Sequence, residues 1–478
     1  MSDRMKALTG VTLPTENGVE YKLTKQAGYG AQGVVYEETS GKFMVKLYYP
    51  TDSATLDEDI LERLRFIRDI NMPKNFVSVI DVVTSPYVGY VMEKVVDHKP
   101  LNTYLIPDKN TSFPEWYNKG LGLFERITVG FVIAKAFGEL ERSNLSYCDI
   151  SGNNILINTS KSASVKMIDV DNIYIAGRGK STILGTPRYI APEVISRQKS
   201  PDVLSDNYSL AVILFELLRV GHPYISDEIF DGTFEDEESA LAGESEYVTD
   251  ENSTNMLPAD IVFTDKLKEL FRRCFVDGKK NRLSRPSATE FEFALLEARN
   301  KLIKCPSCSA WHYPRKNRKE YEGCPWCDSE SRPTAMLNFY DVLLDGEDYK
   351  TANVVGDKKS GKLVNSYVLK KNWKNTIKSL YVLRFDDLSK DKRSLENYVT
   401  IAYTEKGVHV YNEFSKPGIV VKRYGTKEYK VIENNKTLLL ENGDEIYFEI
   451  NNGSVGIECG GLSYSFIRMA KFMEEVKK

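Results

Sequence analysis

Three glycines, Gly28, Gly30 and Gly33, fall between two runs of strand-forming residues, YKLTKQAGYG at 21–30 and GVVYEETSGKFMVKLYYP at 33–50. A glycine turn that opens a helix is the pattern of dinucleotide-binding folds. Here a second strand follows, so the βαβ unit is excluded. Glycines between strands let backbone N–H groups approach an anion without a Cβ in the way, although a plain hairpin would satisfy this stretch taken alone. Thirteen residues after Gly33 comes Lys46, at an inward position of a strand. A buried ammonium is costly unless paired. A phosphate and a carboxylate would pair it, and Glu62 on the following helix is the expected partner, with Glu58 one turn earlier as the fallback. A second glycine run, GRGKST at 177–182, is rejected as a phosphate loop, because Tyr174 stands where its first glycine is required.

Apolar residues at 56, 60, 61, 64, 67 and 70 have helical spacing, as do Phe124, Ile127, Phe131, Ala134 and Leu140. Residues 76–96 return to strand composition, 146–175 read as short strands and loops, and 205–220 and 264–303 read as helices. A β-rich part followed by a helical part is the order of a two-lobed α+β fold. At 42% hydrophobic and 28% charged residues, the 478-residue chain is ordinary globular material of two to four domains. Its charge is uneven: residues 1–300 carry −10 and residues 301–478 carry +6. Between Arg219 and Lys266 there is no Lys or Arg, and DEIFDGTFEDEESA is read as a solvated loop, with an acidic docking face for basic substrates as the alternative. No apolar run is long enough to span a membrane, and the first residues lack the core of a signal peptide, so a cytoplasmic location without membrane attachment is expected.

YCDISGNNILI at 147–157 places Asp149 five residues before Asn154, and VKMIDVDN places Asp169 and Asp171 after another apolar run. Carboxylate and amide oxygens completed by phosphate oxygens suit Mg²⁺, and Asn154 with Asp169 supplies that set. Asp149 would accept or orient the proton of an attacking hydroxyl. ILGTPRYIAPEVIS follows at 183–196. With GTPRYIAPE the chain resembles the protein-kinase superfamily, serine/threonine type, over roughly residues 15–300. The matching set is Gly28/Gly30/Gly33, Lys46, Glu62, Asp149, Asn154, Asp169 and Ala191-Pro192-Glu193. The resemblance implies that Lys46 holds ATP phosphates and pairs with Glu62, that Asn154 and Asp169 hold Mg²⁺ or Mn²⁺, and that Asp149 is the catalytic base. Val35 would cover the nucleotide, Met92 would be the gatekeeper, and Glu93 and Val95 would face adenine. Asp206 fits the buried aspartate of the large-lobe central helix, and Arg285 the arginine that pairs with Glu193.

Three departures stand out. Tyr147-Cys148 replaces the expected His-Arg, which removes the usual counter-charge for a phosphorylated loop residue. Ser151 replaces a lysine, and the expected Asp-Phe-Gly reads Asp169-Val170-Asp171, where the second carboxylate either stiffens the loop or joins metal binding. The changes resemble a group of bacterial kinases with loops of the D-x-S/N-x-N-N and D-x-D types. Thr186 resembles the threonine that favours Ser/Thr acceptors. Ser181 and Thr182, near Arg178 and Lys180, are candidate autophosphorylation sites or simply polar loop residues.

Cys305-x2-Cys308 and Cys324-x2-Cys327 are two knuckles fifteen residues apart. Four thiolates suit structural Zn²⁺, and the segment 301–332 resembles a zinc ribbon. His312 is read as a bystander, and Cys148, Cys274 and Cys459 as packing residues. The basic tip RKNRK at 315–319 is read as a solvated hairpin, so nucleic acid is not an expected partner. Residues 333–478 contain short strand-like runs separated by turns, which predicts a sandwich-like β-rich domain closed by a short helix, SYSFIRMAKFMEEVKK. LLLENGDEIYFEI is similar to the late strands of forkhead-associated modules, without the Gly-Arg and Ser-x-x-His parts of that pattern. The expected activity is transfer of the ATP γ-phosphate to Ser/Thr hydroxyls of a protein substrate. The alternative is a pseudokinase scaffold binding nucleotide and partner proteins. The architecture resembles bacterial stress or signalling kinases that work beside a phosphatase, so a cognate phosphatase is a further expected partner.

Overall fold

The structure is a computed structural model. It describes residues 8–50, 54–108, 110–160, 163–175, 185–249, 253–317, 320–342, 360–382, 396–413, 419–449, 455–459 and 462–474. The chain divides into two compact units, Met1–Leu295 and Leu296–Lys478.

The first unit begins with a six-stranded antiparallel sheet, counted over the described residues. Its strands are β1 (Thr12–Pro14), β2 (Glu20–Tyr29), β3 (Gly33–Glu38), β4 (Phe43–Tyr48), β5 (Val79–Val83) and β6 (Gly89–Glu93), in the order β1-β2-β3-β4-β6-β5. Alternating residues on these strands put Leu13, Leu23, Tyr36, Val45, Leu47 and Val91 into one core. Between β4 and β5 runs α1 (Ala54–Asp69), which buries Ile60, Leu61, Leu64 and Ile67 at helical spacing.

The rest of the unit is mainly helical. After β7 (Lys99–Pro100) come α2 (Phe113–Gly120) and α3 (Leu123–Arg142). Then follow β8 (Leu145–Ser146), β9 (Ile155–Asn158), β10 (Ser164–Met167), β11 (Tyr174–Ile175), α4 (Pro192–Ile195) and α5 (Val203–Arg219). Every residue of α5 from Ser205 to Arg219 is buried, which matches its near-continuous apolar sequence. Its start is fixed by a capping box in which Asp202 accepts from the Ser205 N–H and the Ser205 side chain accepts in return. The buried guanidinium of Arg219 donates to the carbonyls of Leu257 (2.7 Å) and Val248 (3.0 Å).

The acidic stretch after α5 differs from the loop read from its charge. It forms helices at Asp227–Phe230 and Phe234–Leu241. Ser226 and Thr233 cap their N-termini, where clustered acids complement the helix dipole.

Glu292, in the helix Ala288–Lys301, is buried, and that burial pushes its carboxyl up to about 7 against the opposing charges of Lys135 and Arg142. Between the ordinary 4.5 and about 7, the folded chain keeps a proton that the unfolded chain has released. Stability therefore falls as pH rises through that window. Glu292→Gln is expected to raise the melting temperature by about 2–4 °C at pH 8 and to change it little at pH 5. Thermal unfolding followed by circular dichroism at the two pH values checks this.

The second unit is a β-sandwich. Ala335–Val342 pairs with both Ser360–Val368 and Leu462–Glu474, and the last strand also pairs with Glu445–Glu449. A second sheet runs from Lys374–Lys378 through Asn397–Thr404 and Gly407–Tyr411 to Thr437–Leu439. The two sheets share one core, with Leu337, Phe339, Phe448 and Phe472 from the first and Ile377, Val399, Ile401 and Val410 from the second. The expected C-terminal helix is corrected here: Leu462–Glu474 is a thirteen-residue strand. Ala335–Val342 pairs along Arg468–Glu474 on one side, Glu445–Glu449 pairs with Phe466 and Met469–Lys471, and from Ala470 onward burial alternates, with Ala470 and Phe472 inward and Met473 outward. That is a period of two rather than 3.6.

Candidate active site

The glycine turn joins β2 to β3, with the Gly30 N–H donating to the Gly33 carbonyl (2.9 Å). A Cβ on Gly33 would lie 2.1 Å from the Leu47 carbonyl oxygen, so the close approach of β3 to β4 requires glycine there. Around Gly28 and Gly30 nothing lies within 4 Å of such a Cβ, so these two face open space. In register on β4, Lys46 sits between Val35 of β3 and Tyr90 of β6, and it is buried.

The β9–β10 hairpin brings the acidic groups together. Ile155 pairs with Met167, and the Ile168 N–H donates to the Asn154 carbonyl (2.9 Å). Asn154, just before β9, and Asp169, two residues after β10, therefore leave the same end of the hairpin. The Asn154 amide donates to the Asp149 carbonyl (2.9 Å) and to its Oδ2 (3.0 Å), and the Thr186 hydroxyl donates to Asp149 Oδ1 (2.9 Å). Asp169 has a left-handed backbone, with φ of 56°.

Asp206 on α5 holds the loop before Asp149, accepting from the N–H groups of Tyr147 (2.6 Å) and Cys148 (3.0 Å) and from the Ser146 hydroxyl (2.9 Å). Tyr147 packs its ring on Phe76 and Phe137, and its hydroxyl donates to the Ile168 carbonyl. It thus ties the Asp149 loop to the Asp169 turn. Glu193 accepts a two-pronged hydrogen bond from Arg285 (2.7 and 2.8 Å), which anchors the end of the segment that carries Thr186.

The expected Lys46–Glu62 pair is corrected. Lys46 Nζ lies 2.9 Å from Asp171 Oδ2, 3.2 Å from Asp171 Oδ1 and 3.3 Å from Asp169 Oδ1. Glu62 is exposed on α1, and Glu58 pairs instead with Arg65 (2.9 Å). Asp171 is wholly buried, and it also accepts from the hydroxyls of Tyr48 and, at 3.5 Å, Tyr90. Burial alone would lower the Lys46 ammonium, but the carboxylates of Asp171 and Asp169 outweigh it and hold it above its ordinary value. Burial likewise works to raise Asp171, yet Lys46 and the Tyr48 hydroxyl keep it below the usual carboxylate range. For Asp169 burial wins, and its carboxyl is raised against the pull of Lys46.

Lys46, Asp149 and Asp169 border one cleft of about 640 Å³, which neither Asn154 nor Asp171 lines. Gly28 to Gly33, Val35, Lys46, Asp149, Asp169 and Thr186 are among its lining residues. Met92, Glu93, Lys94 and Val95 form one edge, and Met44, Leu156 and Ile168 add apolar walls that the sequence did not single out. Glu62 is not among the lining residues. Volume and lining suit a small ligand with a flat apolar part and a charged part. Ser181 and Thr182, with Arg178 and Lys180, lie outside the described residues.

Comparison with known proteins agrees with this geometry. The family model "Protein kinase domain" matches residues 21–294. The chain belongs to the protein kinase family. Among curated proteins, this kinase chain is 27% identical over 227 residues to serine/threonine-protein kinase SRK2A of Arabidopsis thaliana, covering 44% of the chain and 56% of that protein. It is 25% identical over 293 residues to serine/threonine-protein kinase SRK2D of the same plant, covering 58% and 71%. Serine/threonine-protein kinase CLA4 of Candida albicans is 23% identical over 283 residues, covering 57% of the chain and 26% of CLA4. The chain thus spans about half the length of the first of these relatives. No helix among the described residues is long and apolar enough to cross a membrane.

The second unit carries the cysteine cluster. The sulfurs of Cys305, Cys308, Cys324 and Cys327 all lie within 4.8 Å of one another. Cys305–Cys327 and Cys308–Cys324 are each 3.7 Å apart. Four ligands about 2.3 Å from a tetrahedral Zn²⁺ would be separated by about 3.8 Å, so the set fits zinc. The two knuckles are built alike: Ser309 and Asp328, each following the second cysteine of its pair, have φ of 64° and 59°. His312 lies outside the cluster, its ring nitrogens bonded to Ser331 Oγ (2.8 Å) and the Tyr313 carbonyl (2.9 Å). Trp326 donates to the Trp311 carbonyl (3.2 Å), and Trp311 packs edge-on against Trp373 with ring centroids 6.1 Å apart. Cys148 and Cys274 are buried, as packing residues would be, and the side chain of Cys459 and part of the basic tip lie outside the described residues.

Proposed function

We propose that the chain is an ATP- and Mg²⁺-dependent protein kinase that phosphorylates Ser/Thr hydroxyls. The observation that carries this is the convergence of Lys46, Asp149 and Asp169 on one cleft lined by Gly28, Gly30 and Gly33, with Asn154 bonded to Asp149 behind it. Adenine would lie against Val35, Met92 and the backbone of Glu93 and Val95, and Gly28, Gly30 and Gly33 would cradle the phosphates beside Lys46. Asn154 and Asp169 would hold the Mg²⁺, which when bound neutralises phosphate charge. Asp149 would orient the acceptor hydroxyl and take its proton, while Thr186 and Asn154 fix the carboxylate. Thr186, and the printed names of the relatives, favour Ser/Thr acceptors. Positioning and charge neutralisation, more than covalent chemistry, would supply the rate.

We assign the kinase domain to residues 15–300, a zinc ribbon with structural Zn²⁺ to 301–332 and a regulatory or interaction domain to 333–478. The expected setting is cytoplasmic signalling or stress response, with a protein substrate and a cognate phosphatase. A pseudokinase scaffold is the second reading. It rests on Ser151, buried where the resemblance expects a lysine, so that no cation from that position reaches the γ-phosphate side.

Incubation with γ-labelled ATP and Mg²⁺ or Mn²⁺, followed by phosphoamino-acid analysis, tests the proposal. Label on serine or threonine that disappears in Lys46→Met supports it. No transfer under either metal, with nucleotide still bound, would favour the scaffold.

A further inference from the structure

We infer that Asp171 is the positioning residue for Lys46, and that α1 has no part in holding this lysine. The inference rests on the kinase reading above and assigns a role within that same site. Both oxygens of Asp171 lie within 3.2 Å of Lys46 Nζ, and the carboxylate has no exposure at all. Such a group persists only if it is fully paired. Its other partners come from the sheet. The Tyr48 hydroxyl donates to Oδ2, and Tyr90 Oη lies 3.5 Å from Oδ1.

Tyr48 lies two residues beyond Lys46 on β4, so both side chains leave the same face. Tyr90 is the register partner of Lys46 on β6. The rings of Tyr48 and Tyr90 have centroids 5.8 and 5.9 Å from Nζ. Lysine, Asp171 and two tyrosines thus meet, with Asp169 Oδ1 adding a longer contact at 3.3 Å, and two strands and one turn fix the ammonium.

Helix α1 contributes no acid to the set. Glu62 points to solvent, Glu58 is taken by Arg65, and the charge of α1 felt at Tyr48 is that of Arg63, a cation. One turn, Asp169-Val170-Asp171, therefore sets both the lysine and the carboxylate expected at the metal. A displacement of that turn would disable both together, whereas a rotation of α1 would leave the lysine in place.

A double-mutant cycle tests this, with Mg²⁺–ADP affinity by calorimetry and steady-state transfer kinetics as readouts. Glu62→Gln should stay within about twofold of the parent in affinity, KM and kcat. Asp171→Asn should weaken nucleotide binding about tenfold and lower kcat/KM about a hundredfold, while Tyr48→Phe, a milder change kept in case the first variant folds poorly, should cost about three- to tenfold. Because Asp171 acts through Lys46, Lys46→Met/Asp171→Asn should bind nucleotide no more than about twofold worse than Lys46→Met. A generally loosened fold would instead add its loss to that of Lys46→Met. Full additivity, or a Glu62→Gln loss as large as that of Asp171→Asn, would overturn the inference. A parent chain that binds nucleotide but transfers no phosphate would count against the catalytic reading alone, since the affinity cycle still decides the role of Asp171. A parent chain that binds no nucleotide would overturn both.

Discussion

Asp149→Ala is expected to lower the rate of phosphate transfer by about a thousandfold while leaving nucleotide affinity within about threefold. The reason is where Asp149 is held. Its carboxylate is fixed by Asn154 and Thr186 and lies outside the network that grips Lys46. A group that meets only the acceptor hydroxyl contributes to the chemical step and little to nucleotide binding. The expected signature is a fall in kcat with little change in KM for ATP. Fold integrity should persist, because the loop is anchored through Tyr147 and Cys148 by Asp206 rather than through Asp149. Parallel transfer assays and calorimetry on the two chains check this, and equal losses in binding and turnover would show that Asp149 serves the nucleotide instead.

Removal of zinc should have the largest effect on the second unit. Cys305 and Cys324 are buried, and without a metal the two knuckles would lose the bonds that hold their four sulfurs together. Structural zinc in small modules is worth about 10–16 kcal/mol of apparent binding at neutral pH, which in such cases is folding free energy. One zinc per chain is expected by elemental analysis. Cys324→Ser should lose most of it and become sensitive to proteolysis within 303–332. Unchanged metal content in that variant would contradict the four-sulfur site.

Much of the kinase unit was legible in the sequence because its signals are local or ordered. The glycines between strands, the helical stripes, the spacing from Asp149 to Asn154 and the segment from Gly185 to Glu193 each carry their own pattern. The identity of the Lys46 partner does not. Glu62 and Asp171 lie 16 and 125 residues away, and only the packing of β4 against the 169–171 turn decides between them. The D-x-D spacing, with a tyrosine two residues beyond Lys46, was the available signal. The last strand was misread for a related reason. Its apolar residues are dense enough to fit either period, and the strands on both sides settle the matter by taking its backbone hydrogen bonds. The acidic helices after α5 were hidden by their charge, although the Thr233/Asp236 capping box was already present in the sequence.

Of the four tryptophans in the chain, Trp311, Trp326 and Trp373 gather at the cysteine knuckles and the adjoining sandwich, and only Trp116 lies in the first unit. Intrinsic fluorescence will therefore be weighted towards the second unit, and the emission change on adding a chelator should track the knuckles. Occupancy of the nucleotide cleft would be nearly silent in that signal and is better followed with a fluorescent nucleotide analogue.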